Sequence, residues 1–235
     1  MKALTRRFLI AAGLAWTASL PAEAPLPKRI HGLLGIPYRD DAGLDEHGRW
    51  ATFSHPEAVS ERPGLNCSGF LVAAARHLLG YHGSLAEAGR DRLGDSGPRA
   101  EAGLDWDFGW DLVLNLSDGH VRSWVLPAGD HLAPGGTGHT LAGFKVWDSQ
   151  AWARLATRWR PDRVYLATLQ RGSGLHLRHH HVALLLKEAA GGLWFYQTLP
   201  QGRVHRLALD TSEGMARLRT MFGPGERILV LEVQP

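Results

Sequence analysis

Asn66-Cys67-Ser68-Gly69-Phe70-Leu71-Val72-Ala73-Ala74-Ala75-Arg76-His77-Leu78-Leu79-Gly80 is the stretch from which the fold is read. Asn is a good N-cap, because its side-chain oxygen can accept from a first-turn N–H. Phe70, Leu71, Ala74, Leu78 and Leu79 recur at helical spacing, with Ala73 and Ala75 filling in. Gly80 stands where a chain leaves a helix in the left-handed conformation. The spacing predicts a helix over 66–79 with Cys67 in its first turn. Unpaired N–H groups and the macrodipole favour negative charge there. That position predicts a thiol below its ordinary value of about 8.5. N–H groups near Cys67 and Ser68 are placed to receive a developing oxyanion. Gly69 removes a side chain where a substrate backbone could approach.

Cys67 is the chain's one cysteine, so no internal disulfide is possible. Such a thiol is either buried and inert or kept for its reactivity. The compartment matters to that choice. Residues 1–24 read as an export signal: Lys2, Arg6 and Arg7, then an apolar run from Phe8 to Leu20, then Ala22-Glu23-Ala24 as a cleavage site. Thr5-Arg6-Arg7-Phe8-Leu9 is similar to a twin-arginine signal. A periplasmic or secreted location is therefore expected, with 25–235 as one domain. Without residues 1–24 the chain keeps 23 basic and 22 acidic side chains. Near-neutrality argues against a nucleic-acid partner. No later apolar run is long enough for stable membrane insertion. Apolar residues make up 44% of the 235, enough for a substantial core.

A nucleophilic Cys needs a base, and the base needs an orienting group. Of 13 histidines, His181 is best placed, opening the apolar run His181-Val182-Ala183-Leu184-Leu185-Leu186. Gln197 ends the next predicted strand, where its oxygen would accept from His181 Nδ1–H. His205 is the rival orienter. A different reading makes His179 and His181 a chelating pair on one strand face, with Asp105, Asp107 or His139 as third ligand. No second spaced motif accompanies them, so neither metal nor cofactor is expected. Trp106, Trp110, Trp124, Trp147, Trp152 and Trp159 suit either a sugar groove or a core, with the core favoured.

The remaining pattern gives the class. Residues 25–34 read as linker or first strand, and 35–65 as loop. Leu85–Leu93 reads as a short helix. Val113–Leu116 and His120–Val125 read as a hairpin around Ser117-Asp118-Gly119, and Pro134–Gly138 as a loop. Asp148–Trp159 reads as a helix capped by Asp148. Strands are expected at Val164–Leu169, His181–Leu186, Leu193–Thr198, Val204–Leu209 and Ile228–Val233, with a helix at Thr211–Met221. A helix followed by an antiparallel meander is an α+β arrangement.

Asn66-Cys67-Ser68-Gly69-Phe70-Leu71 resembles the Asp-Cys-Ser-Gly-Phe-Val signature of NlpC/P60 cysteine peptidases. Gly35-Ile36-Pro37-Tyr38 is similar to that family's Gly-x-Pro-Tyr segment. Val164–Gln170 with His181–Leu186 resembles its strand pair carrying the catalytic His. Tyr196-Gln197-Thr198 falls where its third, polar residue belongs. The resemblance covers about 35–80 and 160–233. It implies a papain-like α+β core, with the Cys-bearing helix packed on an antiparallel sheet. It also implies a thiol hydrolase cleaving an amide of peptidoglycan stem peptides, commonly between γ-D-glutamate and the diamino acid. Cys67 would be nucleophile, His181 base, Gln197 orienter, and Tyr38 a site residue for the oxyanion or the D-Glu carboxylate. Asn66 and Ser68 would complete the binding and oxyanion surface. The family's Asp before the Cys is replaced by Asn66, its usual third His by Gln197, and its Gly-Gly after the Tyr by Arg39-Asp40-Asp41. The stretch from Cys67 to His181 is longer than in the family, which places an insertion at about 81–160. The alternatives are an amidase or acyltransferase on a non-wall substrate, and a non-catalytic envelope-binding protein.

Overall fold

A computed structural model describes residues 24–94, 107–128, 130, 138, 140–173 and 177–235. Residues 1–23 of the export signal, Asp105, Trp106, His139 and most of Pro134–Gly138 lie outside the described residues.

The predicted helix forms as α2, Cys67–Leu79, with Asn66 Oδ1 accepting from Gly69 N–H at 2.7 Å. Gly80 leaves it at φ 67°, the left-handed exit that a residue without Cβ takes most easily. Ahead of α2 the chain is more ordered than the expected linker and loop. Leu26–Arg29 forms a short helix, α1, followed by a 3-10 turn at His31–Leu33. Strands β1 (Ala42–Leu44) and β2 (Trp50–Thr52) pair as a small antiparallel hairpin.

After α2 come α3 (Leu85–Ala88), α4 (Phe108–Leu116), β3 (Arg122–Val125), β4 (Phe144–Lys145) and α5 (Ser149–Leu155). Then follow β5 (Val164–Arg171), β6 (Arg178–Lys187), β7 (Leu193–Gln197), β8 (His205–Ala208), α6 (Ser212–Met221) and β9 (Arg227–Val233). β3 to β9 form one antiparallel sheet in the order β3-β9-β5-β6-β7-β8, with β4 also on β9. The α+β class is as expected.

The sheet is covered on both faces. On one side Leu166, Val182, Leu184, Tyr196 and Leu231 pack with Phe70, Leu71 and Ala74 of α2 and Leu112 and Val113 of α4. On the other, Tyr165, Ala183, Leu185, Phe195 and Val230 pack with Trp152 of α5, Leu218 of α6 and Phe222. Two-sided burial explains why β5 reads as an almost continuous apolar run rather than an alternating one. Trp110, Trp152 and Trp159 are core residues, whereas Trp147 is 45% exposed.

One local reading is corrected. Val113–Leu116 belongs to a helix rather than to a hairpin strand, because α4 is buried around nearly its whole circumference and even its polar residues, Asp111 and Asn115, are buried against Arg92. What is described of 81–160 is built into the main layers: α4 lies beside α2, and β3 and β4 extend the sheet.

Candidate active site

The site forms where the N-terminus of α2 meets the start of β6. The close fit of α2 is set by Gly69. A Cβ there would lie 2.0 Å from the Ala42 carbonyl oxygen and 2.7 Å from Gly43 Cα. The glycine therefore admits the β1 backbone, not a substrate as the sequence suggested. Asn66 N–H donates to the same Ala42 carbonyl at 3.0 Å. With its Oδ1 on Gly69, Asn66 is first a cap, and that oxygen is already committed.

Cys67 is half-buried, and Ser68 beside it is buried. β6 extends beyond its last paired residue on β7, Leu184 opposite Tyr196. The N–H of Val182 in that extension faces Cys67 Sγ, as do the N–H groups of Cys67 and Ser68. Ser68 Oγ lies 4.0 Å from the sulfur. These donors pull the thiol pKa down, but burial pushes it up further, and the net result lies above the ordinary value. The depressed thiol expected from the helix terminus is corrected on this point.

Tyr38 reaches the site through backbone pairing. Pro37 bridges Arg203, Tyr38 N–H donates to Gly202 O at 2.9 Å, and Leu65 N–H donates to Pro37 O at 3.1 Å. Its phenol donates to Asp40 Oδ1 at 3.2 Å. Burial, then Asp40, raise the phenol pKa, and the nearby Cys67 adds to this.

His181 immediately precedes the residue whose N–H meets the sulfur. Its orientation follows from a bulge. β5 and β6 pair Leu169 with His181 but Gln170 with His179, so His180 is an extra residue. The bulge sends His179 and His181 to opposite faces. His179 lies with Thr168, Gln170 and the Gly138 carbonyl. Gly109 of α4 fits tightly over it, since a Cβ there would lie 2.7 Å from the His179 carbonyl oxygen. The chelating-pair reading of His179 and His181 is therefore overturned by register. Among the described residues no group of three or more metal-binding side chains converges.

His181 is only 8% exposed, with Phe222 tilted against it at a ring separation of 5.5 Å. Its Nε2–H donates to Gln197 Oε1 at 2.9 Å. The expectation had the other nitrogen, Nδ1, in this bond. With Nε2 protonated, Nδ1 keeps its lone pair and is the nitrogen free to take a proton. Burial lowers the imidazole pKa to about 4, against smaller raising effects from Gln197 and Glu226. Among the described residues no hydrogen bond joins the imidazole to Sγ. By register the ring lies on the Leu169 and Phe222 face of the sheet, whereas α2 packs on the Val182 face, so Cys67 is met through the β6 main chain at Val182.

Gln197 is buried and lies opposite His205 in the β7–β8 register. Its Nε2–H groups donate to His205 Nε2 at 3.4 Å and to Met221 Sδ at 3.2 Å. His205 Nδ1–H donates to Arg203 O at 2.9 Å. His205 thus stands behind Gln197 and does not compete with it for His181. Glu226 was not foreseen. It is buried just before β9, ion-paired with Arg171 and accepting from His180 Nε2–H at 2.8 Å. Burial raises its carboxyl, but His180 and Arg171 hold it below the ordinary range. Nothing in the local sequence marks it, because its partners come from β5 and β6.

A half-buried cysteine beside three N–H donors, and a neutral imidazole in the residue before one of those donors, are the group types that nucleophilic acyl transfer uses. No protein-family model matches the chain, and no match is found among curated proteins or solved structures.

Proposed function

We propose that the chain is an exported cysteine hydrolase with a papain-like, NlpC/P60-type core that cleaves an amide within peptidoglycan stem peptides. The observation that carries this reading is the hydrogen bond from His181 Nε2 to Gln197 Oε1, made one residue from the N–H that faces the Cys67 sulfur. It leaves Nδ1 of His181 unprotonated in the residue adjoining that N–H, and Cys67 itself stands at a helix N-terminus.

In the proposed reaction Nδ1 takes the thiol proton as Sγ bonds to the scissile carbonyl carbon. The N–H groups of Cys67, Ser68 and Val182 are the candidate donors to the resulting oxyanion. The C–N bond then breaks, and the leaving amine takes the proton from Nδ1–H. A water molecule gives its proton to Nδ1 and adds to the thioester, and the C–S bond breaks to release the acid and restore the thiol. Tyr38 is the proposed binder of the oxyanion or of the D-Glu carboxylate. The proposed location is periplasmic or secreted, where the wall is found.

A second reading, an amidase or acyltransferase on a non-wall amide, is favoured by Asn66. This residue is neutral and its oxygen caps α2, so no carboxylate precedes Cys67 to meet a free amine. One experiment addresses both. Purified peptidoglycan is incubated with the chain lacking residues 1–24, beside its Cys67→Ala variant, and soluble products are identified by mass spectrometry. Fragments cut within the stem by the parent alone are expected, with at least about 100-fold loss in the variant. Equal release by the variant sinks the mechanism. No release from the wall, with Cys67-dependent turnover of simple amides, selects the second reading.

A further inference from the structure

The Gln197 amide has two possible orientations with opposite consequences. With Oε1 toward His181 it accepts, so the imidazole carries its proton on Nε2 and leaves Nδ1 basic. Turned over, its Nε2–H would donate to His181 Nε2, and the proton would move to Nδ1. The observed orientation has both N–H groups on acceptors, His205 Nε2 and Met221 Sδ. Thioether sulfur is a weak acceptor, so the ring nitrogen is the stronger determinant. His205 can act as an acceptor at Nε2 because its own proton is on Nδ1, donated to the Arg203 carbonyl. That carbonyl sits in the segment that bridges to Pro37, next to Tyr38.

We infer that His205 is a positioning residue that sets the orientation of the Gln197 amide and, through it, which nitrogen of His181 is left to act as base. Its catalytic consequence rests on the reading of His181 as base given above; the tautomer claim does not. The order runs inward from a backbone carbonyl: Arg203 fixes His205, His205 fixes Gln197, and Gln197 fixes His181. Each step is a donor meeting an acceptor, and reversing any one reverses all those nearer the sulfur. Direct cross-strand pairing of Gln197 with His205 holds the two side chains on one face, so the arrangement needs no flexible element.

The test uses the full chain labelled with 15N-histidine, with the His181 resonances assigned by comparison with His181→Gln. Ring-nitrogen shifts report the tautomer directly. The parent should show Nε2–H at His181. His205→Gln keeps an acceptor at the same reach and should preserve it. His205→Lys offers only donors and should move the proton to Nδ1, with kcat on peptidoglycan falling about 100-fold and KM little changed. Adding Gln197→Glu to His205→Lys supplies a carboxylate that accepts from both neighbours, and should restore both the Nε2–H signal and turnover. Should the lysine variant fail to fold, His205→Ala gives the reading, with both tautomers expected together. An unchanged Nε2–H signal in His205→Lys, or in His205→Ala where that variant is used, overturns the inference. A tautomer that responds as described in a protein that cleaves no wall leaves the positioning role intact and removes the hydrolase reading.

Discussion

Two opposed forces act on the Cys67 sulfur. The helix terminus and the Val182 and Ser68 N–H groups favour thiolate, while burial favours thiol, and burial is the larger. His181, which precedes Val182 in β6, is neutral for the same reason, with its pKa lowered to about 4. The resting pair is therefore thiol and imidazole rather than thiolate and imidazolium. Only the thiolate alkylates readily, so the rate of reaction with iodoacetamide tracks its fraction. From pH 7 to pH 9 that rate should climb roughly tenfold per unit without levelling. A plateau already reached below pH 7 would show a preformed ion pair and refute this picture. The sequence identifies which atoms meet at position 67, because a cap and a helix period are local properties. It cannot show how much water the site loses, because the excluding groups come from β6 and the segment around Tyr38. The same limit explains the nitrogen misassigned on His181, which depends on strand register.

At the scale of elements, α2 carries two glycines whose reasons differ. Gly80 has open space around it and is there for its backbone angle, so Gly80→Ala should cost about 1 kcal/mol. Gly69 is there for contact, since an added Cβ meets main-chain atoms of Ala42 and Gly43 that cannot swing aside. Gly69→Ala should therefore destabilise by about 3 kcal/mol, as overpacking of a close fit does. Urea unfolding of both variants measures the difference. Comparable small losses would mean that β1 yields easily and does not fix the helix. α2, β5 to β9 and α6 were legible because each combines a periodic or apolar run with a turn or cap. α4 was not, since burial on nearly all sides erased its period and left an apolar run that reads as strand. The bulge at His180 was also hidden. It separates His179 from His181, and its setting includes Gln170, which is tied to Leu141 and Gly143 far along the chain.

Taken as a whole, the molecule holds an ionisable imidazole between two packed layers, and this links its stability to pH. The sheet, with Phe222 against the ring, leaves His181 almost no solvent. In the unfolded chain the same imidazole titrates at its ordinary value of about 6.5. A lowered folded value means that the unfolded state binds the proton more readily between those two values. The stabilisation is thus fully present above pH 6.5 and is lost progressively as pH falls toward about 4. A shift of this size corresponds to about 3 kcal/mol, a large part of the stability of an ordinary domain. His77 contributes in the same direction, because burial and then Arg29 and Arg76 lower its pKa. Glu226 acts further down: its depressed carboxyl adds a loss in the acid range, below the unfolded carboxylate value. Urea midpoints measured from pH 7 to pH 4 should fall steadily for the parent and less steeply for His181→Gln, with His77→Gln as the comparison that isolates the second histidine. Equal slopes for the parent and His181→Gln would mean that the site takes up protons without opening. The imidazole would then be in contact with water, and the neutral-base reaction proposed for Cys67 would give way to one that begins from an ion pair.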